Sequence, residues 1–359
     1  MKDRIETLDE LRALAIGAVM LSHFALAFGS QSIVAFWLNL PDLSVGVDLF
    51  FVISGFLIFR NVTDLTQAHS YTRGIATFYA RRITRIVLPA WAIIAALAMA
   101  HIEHPASSVT DLWTAAALIA NVHWARCEVD ARCGDPLATS HFWSLASEAQ
   151  FYFLAPALLL ARGRAALYGV SAAILLLAPV PRPHGSLLWA LRPEALLLGA
   201  ALASQLRRSA SWLAKAPPVS TGLAAWWILV ASMVASIGIG PFSGLAWTLV
   251  AFISAGVVLG RLQGTPIAGS AGEAVRRIGR ASFSVYLVHL PLIGIAAESV
   301  APWIGAPAAA LGALAAIGAA AMVVEFTIVR PAAQLGRAWS MGFVSNYLPI
   351  AGRAAKIGA

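Results

Sequence analysis

Apolar positions in this chain gather into long runs, each roughly 17–22 residues, the length that crosses a bilayer as a helix. The polar positions between them form short clusters too small to hold a soluble domain of ordinary size. The runs predict ten transmembrane helices at residues 8–29, 44–60, 86–102, 142–161, 165–180, 187–206, 221–237, 243–260, 281–298 and 304–326. A further apolar stretch, Leu112 to Trp124, is too short to cross and is placed as a helix at the outer face or dipping into it. The expected fold is all-α: a polytopic membrane bundle forming one domain over residues 1–336, followed by a cytoplasmic tail, 337–359.

Composition agrees. Of 359 residues, 59% are hydrophobic and 12% charged, with a mean hydropathy of +0.77; soluble domains carry about 25% charged residues. The isoelectric point near 10.1 does not call for a nucleic-acid partner here, because surplus Lys and Arg in a membrane protein mark the cytoplasmic loops. With the N-terminus inside, all of the 25 Lys and Arg fall on the inner side except Arg126, Arg132, Arg182 and Arg192. Both termini are therefore expected in the cytoplasm. Counting Leu112–Trp124 as an eleventh span would invert every later loop and destroy that bias. The first apolar run is interrupted by charge and lacks a small-residue cleavage site, so it reads as a spanning helix rather than a signal peptide. The stretch "GIGPFSG" has no strand before it and is not a nucleotide-binding loop. Cys127 and Cys133 share one outer loop, where they could form a small disulfide or stay separate thiols.

Ionisable groups inside these runs are costly and mark functional candidates. Arg12 and His23 lie eleven residues apart in the first run, which puts them on one face of a helix about 16 Å apart along its axis. Asp48, one turn into the second run, and Glu148, two turns into the fourth, fall near the depth of His23. Arg82 and Arg85 lie three apart on one face as the chain enters the third run, level with Arg12. Cations at the inner mouth and a histidine with two carboxylates near the outer surface suit a donor with phosphates at one end and a reactive thioester on a long arm, as in acyl-coenzyme A. The arginines would hold the phosphates, His23 would take the proton of an incoming hydroxyl, and Asp48 or Glu148 would orient the imidazole. Plainer readings compete. Arg82 and Arg85 could be positive-inside anchors, Asp48 or Glu148 could cap a helix or pair with Arg192, and a single membrane histidine is often structural. Trp143, Phe151 and Tyr152 suit packing or an interfacial belt. Ser54 is not in a nucleophile elbow, so direct transfer is expected rather than an acyl-enzyme.

Six segments together resemble membrane acyltransferase family 3, bacterial integral-membrane O-acyltransferases of surface glycans. "TLDELRALAIGAVMLSHF" is similar to its Arg-x10-His first helix, on Arg12 and His23. "GVDLFFVISGFLI" carries Asp48 and Ser54. "FYARRITRIVLP" carries Arg82 and Arg85. "FWSLASEAQFY" carries Trp143, Ser144, Glu148 and Gln150. "LRPEALLLGAALA" carries Arg192 and Glu194. "SFSVYLVHLPL" carries Tyr286 and His289. The resemblance implies ten core helices, acyl-coenzyme A (usually acetyl) as co-substrate, and a sugar hydroxyl as acceptor, in the bacterial inner membrane. It also departs in one place: where the family often ends its last span with Glu, a basic residue and Pro, this chain has Val329, with Glu325 one turn earlier. The expected activity is transfer of an acyl group to a lipid-linked or exported carbohydrate, with no metal. His141, Arg192 and Glu194 at the outer end are expected to meet the acceptor. Two alternatives stand beside it: a flippase for lipid-linked sugars, disfavoured by the lack of matching broken segments in two halves, and an acyltransferase acting on a small molecule.

Overall fold

The computed structural model describes residues 5–28, 42–103, 109–130, 136–160, 164–183, 185–208, 215–237 and 242–346. Among these, all regular structure is helical. The principal helices are α1 (Glu6–Phe28), α2 (Gly46–Ala68), α3 (Tyr71–Arg82), α4 (Leu88–Glu103), α5 (Val109–Ala116), α6 (Ala120–Asp130), α7 (Phe142–Leu160), α8 (Arg164–Leu177), α9 (Leu187–Leu191), α10 (Pro193–Arg208), α11 (Thr221–Ile237), α12 (Ser243–Gln263), α13 (Gly269–Ile295), α14 (Ala306–Val324) and α15 (Arg330–Asn346).

Among the described residues, helix covers most of each of the ten apolar runs, and seven helical stretches are long and apolar enough to cross a membrane. α8 and α11 are apolar but shorter. α7 has the length, but its first half carries Ser144, Ser147, Glu148 and Gln150, because that half faces the interior cavity and neighbouring polar groups rather than lipid. The chain is a multi-pass membrane protein. Its outward faces are apolar: Leu175 and Leu176 on α8, Trp226 on α11, and Leu311 and Met322 on α14 are well exposed, a surface that hydrocarbon covers at no cost.

The Leu112–Trp124 stretch does not form one helix. It splits into α5 and α6 at a turn where Leu118 takes a left-handed φ of 58°. The indole of Trp91 donates to the Ala116 carbonyl at 2.9 Å, and Asn121 exchanges amide hydrogen bonds with Gln150, both at 2.9 Å. These bonds tie the pair of short helices against the bundle.

Two close crossings set the frame. α2 packs on α10 with Gly55 against the Leu196 carbonyl and Gly199 against the Val52 carbonyl; a Cβ at either position would collide with backbone. α1 packs on α13, where Gly279 rests on the Asp9 carbonyl in the same way. Small residues that let backbones touch are the usual means of joining helices in a bilayer, where apolar burial between them supplies little drive. Charge joins the same helices. Glu10, fully buried, receives Arg261 at 2.5 Å, Arg276 at 3.3 Å, the Thr221 hydroxyl at 2.9 Å and the Ile267 amide at 2.7 Å, so α1 is clamped to α11, α12 and α13. In the wide turn after α14, Glu325 accepts from Ser284 at 2.7 Å and from Arg330 at 3.1 Å, which gives the displaced acid of the last span a structural anchor on α13.

Pro156 interrupts α7 and leaves the Tyr152 carbonyl without its helical donor. The hydroxyl of Tyr79 on α3 donates to that carbonyl at 3.2 Å. The carbonyl freed by the proline is thereby satisfied from a neighbouring helix.

Candidate active site

α1, α2, α7 and α13 surround a cavity of about 1580 Å³. Arg12, Arg82 and Arg85 line one end of it; His23, His141, Trp143 and Trp189 line the other. The two levels expected along α1 therefore open into a single space.

At the basic end, α3 runs into a wide turn, Ile83–Val87, before α4 begins. Such π turns insert a residue and re-aim the side chains around them. Arg82 lies over the rings of Phe78 at 5.5 Å and Tyr152 at 5.4 Å, and Arg85 is exposed. Arg12 is 3.5 Å from Asp9. Arg60, Asn61, Asp64, Arg81 and Arg280 line the cavity too; their charges are plain in the sequence, but no spacing there assigns them to the site. The end is rich in guanidinium groups, with carboxylates between them.

At the far end, His23 Nδ1 lies 2.9 Å from His289 Nε2, the ring centroids 5.0 Å apart. His289 Nδ1 lies 2.8 Å from the Tyr286 carbonyl. Tyr286 in turn donates its hydroxyl to the His141 carbonyl at 2.5 Å and accepts from Ser144 at 3.2 Å, which pins α13 to the start of α7. His141 meets His289 and Tyr286 edge to face, its ring centroid 5.4 Å from the first and 5.2 Å from the second. Its ring nitrogens are buried, with the Leu287 carbonyl as a neighbouring polar group. Pro291 in α13 supplies no amide to the Leu287 carbonyl, one turn back and next to His141.

The carboxylates do not meet His23 as expected. Asp48 is fully buried and paired with Arg192, and His289 takes the position beside His23. The cause lies in Arg192. It stands between α9 and α10 with a left-handed φ of 35°, just before Pro193, and its guanidinium is enclosed by Trp143, Trp189 and Trp247 at 5.5, 4.6 and 3.8 Å. A buried cation of this kind requires a counter-charge, and Asp48 supplies it. Glu194 is likewise paired with Arg182. Arg192 and Glu194 thus sit behind the cavity wall, and of the three residues expected to meet the acceptor only His141 lines the cavity. Glu148 does line it, accepting from Tyr152 at 2.9 Å. Ser54, Trp143, Ser144 and Tyr286 line it as well, while Gln150 is turned toward Asn121 and the Leu118 carbonyl.

A family model described as an acyltransferase domain matches residues 5–330, which include every residue lining the cavity. The chain belongs to acyltransferase family 3. No curated protein and no solved structure matched it in the comparisons.

In this acyltransferase the contact between His23 and His289 joins residues 266 positions apart. The sequence offered His289 only as a family-like position with no stated partner. Glu10 was missed altogether; an acid two residues before Arg12 in an apolar helix was the available signal. Cys127 lies on α6 with its sulfur 3.7 Å from His123, which binds Asp111 at 2.5 Å. Cys133 lies outside the described residues.

Proposed function

We propose that this membrane acyltransferase moves an acyl group, in the first instance acetyl, from cytoplasmic acyl-coenzyme A to a hydroxyl of a lipid-linked or exported carbohydrate, in the inner membrane of a bacterium. One observation carries the reading: a single cavity joins the arginine-rich end to His23. Guanidinium groups bind phosphate through paired, charge-assisted hydrogen bonds, and Arg12, Arg82 and Arg85 would hold the nucleotide end of the donor. The pantetheine arm would then lie along α1 over the roughly 16 Å between Arg12 and His23. At its tip the thioester meets His23.

The chemistry balances without a covalent enzyme intermediate. His23 takes the proton of the acceptor hydroxyl as its oxygen bonds to the thioester carbonyl carbon. The carbon–sulfur bond breaks, and the coenzyme A thiolate leaves with the proton returned from the imidazolium. Glu148 faces the same space and would favour the imidazolium by its charge. Trp143 and Trp189 give the far end flat walls on which a sugar ring can rest.

Purified protein in lipid nanodiscs, given radiolabelled acetyl-coenzyme A and a lipid-linked glycan fraction, should release free coenzyme A only when acceptor is present and should label the glycan. Movement of glycan across a vesicle with no thioester consumed would replace this reading with the flippase. Labelling of a small hydroxylated molecule but no glycan would change the acceptor and keep the chemistry.

A further inference from the structure

The hydrogen bonds around His289 determine which nitrogen of His23 is basic. We infer that His289 is a positioning residue that holds His23 in the tautomer with Nδ1 protonated, leaving Nε2 as the nitrogen that meets the acceptor hydroxyl. The inference rests on the proposed role of His23 and deepens it.

The argument begins at a carbonyl. The Tyr286 backbone oxygen can only accept, so His289 Nδ1, 2.8 Å away, carries a proton and donates it. In a neutral imidazole the other nitrogen then has a lone pair and can only accept. His289 Nε2 is 2.9 Å from His23 Nδ1. That hydrogen bond exists only if His23 Nδ1 is the donor, which makes His23 Nε2 the unprotonated nitrogen. Each step follows from the one before, and its origin is a backbone group that cannot change role.

The rest of the site keeps His289 in place. It is completely buried and does not line the cavity, whereas His23 is partly accessible and does. Tyr286, which supplies the carbonyl, is fixed through its own hydroxyl to the His141 carbonyl. Asp48, one of the two acids expected to orient the base, is occupied by Arg192, and the other, Glu148, accepts from Tyr152. The orienting group here is a neutral ring. As His23 Nε2 gains the acceptor proton, its Nδ1–H bond to His289 strengthens and spreads the charge over two rings; as the thiolate leaves, Nε2 gives the proton up and the pair returns to its starting state.

Three substitutions separate this from simple packing. In His289→Gln the side-chain oxygen can reach the place of Nε2 and accept from His23. In His289→Asn the amide reaches only the place of Nδ1, bonds Tyr286 and leaves His23 without an acceptor. His289→Ala removes both. With donor KM within about twofold of wild type, kcat should fall about 100-fold or more for the Asn and Ala variants, the lower part of the range for general-base loss, and the Gln variant should recover to within about tenfold of wild type. Equal loss in the Gln and Asn variants overturns the assignment. Histidine-selective 15N NMR gives a readout independent of turnover. The His23 signal, identified by its disappearance in His23→Gln, should show Nδ1 protonated in the wild type and should change in His289→Asn. A wild-type His23 protonated at Nε2 instead sinks the inference and leaves the proposed activity standing. Wild-type protein with the Nδ1–H pattern but no acyl transfer does the reverse.

Discussion

Asp48 and Arg192 form an ion pair with no solvent contact, holding α2 to the bend between α9 and α10. Its position explains why an acid at the depth of His23 is not the partner of His23. The guanidinium inside three tryptophans has a stronger claim on the carboxylate than a neutral ring does. Removing one member of a buried pair leaves a bare charge and costs about 3–5 kcal/mol, while replacing both by apolar residues of similar volume is often neutral. Asp48→Ala and Arg192→Met should each lower the thermal unfolding midpoint in detergent by many degrees. The double variant Asp48→Leu with Arg192→Met should recover most of that loss. An Asp48→Asn protein that keeps its full midpoint yet has no turnover would instead make Asp48 a participant in the chemistry.

His23→Gln is expected to cut kcat by about 100- to 10,000-fold, the range for loss of a general base. Donor affinity, measured by calorimetry with a non-hydrolysable acyl-coenzyme A analogue, should change little, because the arginines proposed to hold the phosphates lie at the other end of the cavity. A folded His23→Gln enzyme with wild-type kcat would remove the base from the proposed function.

The opposite pattern is expected at the basic end. Arg12→Ala or Arg85→Ala each takes away charge-assisted hydrogen bonds, about 1.5–3 kcal/mol apiece. Donor KM should rise about 10- to 150-fold while the chemical step, followed in single turnover at saturating donor, stays within a few fold. A large fall in that step with unchanged donor affinity would reverse the two levels.

Gly199→Val places two methyl groups against the Val52 carbonyl, where even a Cβ collides. Overpacking a fitted interface costs about 1–3 kcal/mol and often more when backbone must move. The variant should be poorly recovered from membranes and should aggregate on size-exclusion chromatography. Gly169→Val, at a position with open space around it, should behave as wild type in the same assay.

How far the sequence reached follows from which contacts are local. The helices were legible, because each depends on a run of its own apolar residues. So was the shared face of Arg12 and His23, since one helix carries both and its pitch settles their geometry. The division of Leu112–Trp124 at Leu118 was not. The partners were hidden for a further reason. Asp48 could pair with Arg192 or face His23, and both options satisfy the same depth; the enclosure by Trp143, Trp189 and Trp247 decides between them, and three separate helical segments must pack before it exists. The placement of His289 likewise depends on how α13 crosses α1.

That crossing reaches further than packing. Because bare backbone touches backbone at Gly279, the two rods cannot slip lengthwise there without collision. A slip of a single residue would be about 1.5 Å, enough to pull apart a pair of imidazoles that sit at hydrogen-bonding range. The alignment of the His23–His289 pair is thus inherited from a contact roughly 15 Å down the same helix, so on the proposed function a bulky side chain at that remote notch would silence the enzyme while leaving both imidazoles in the polypeptide.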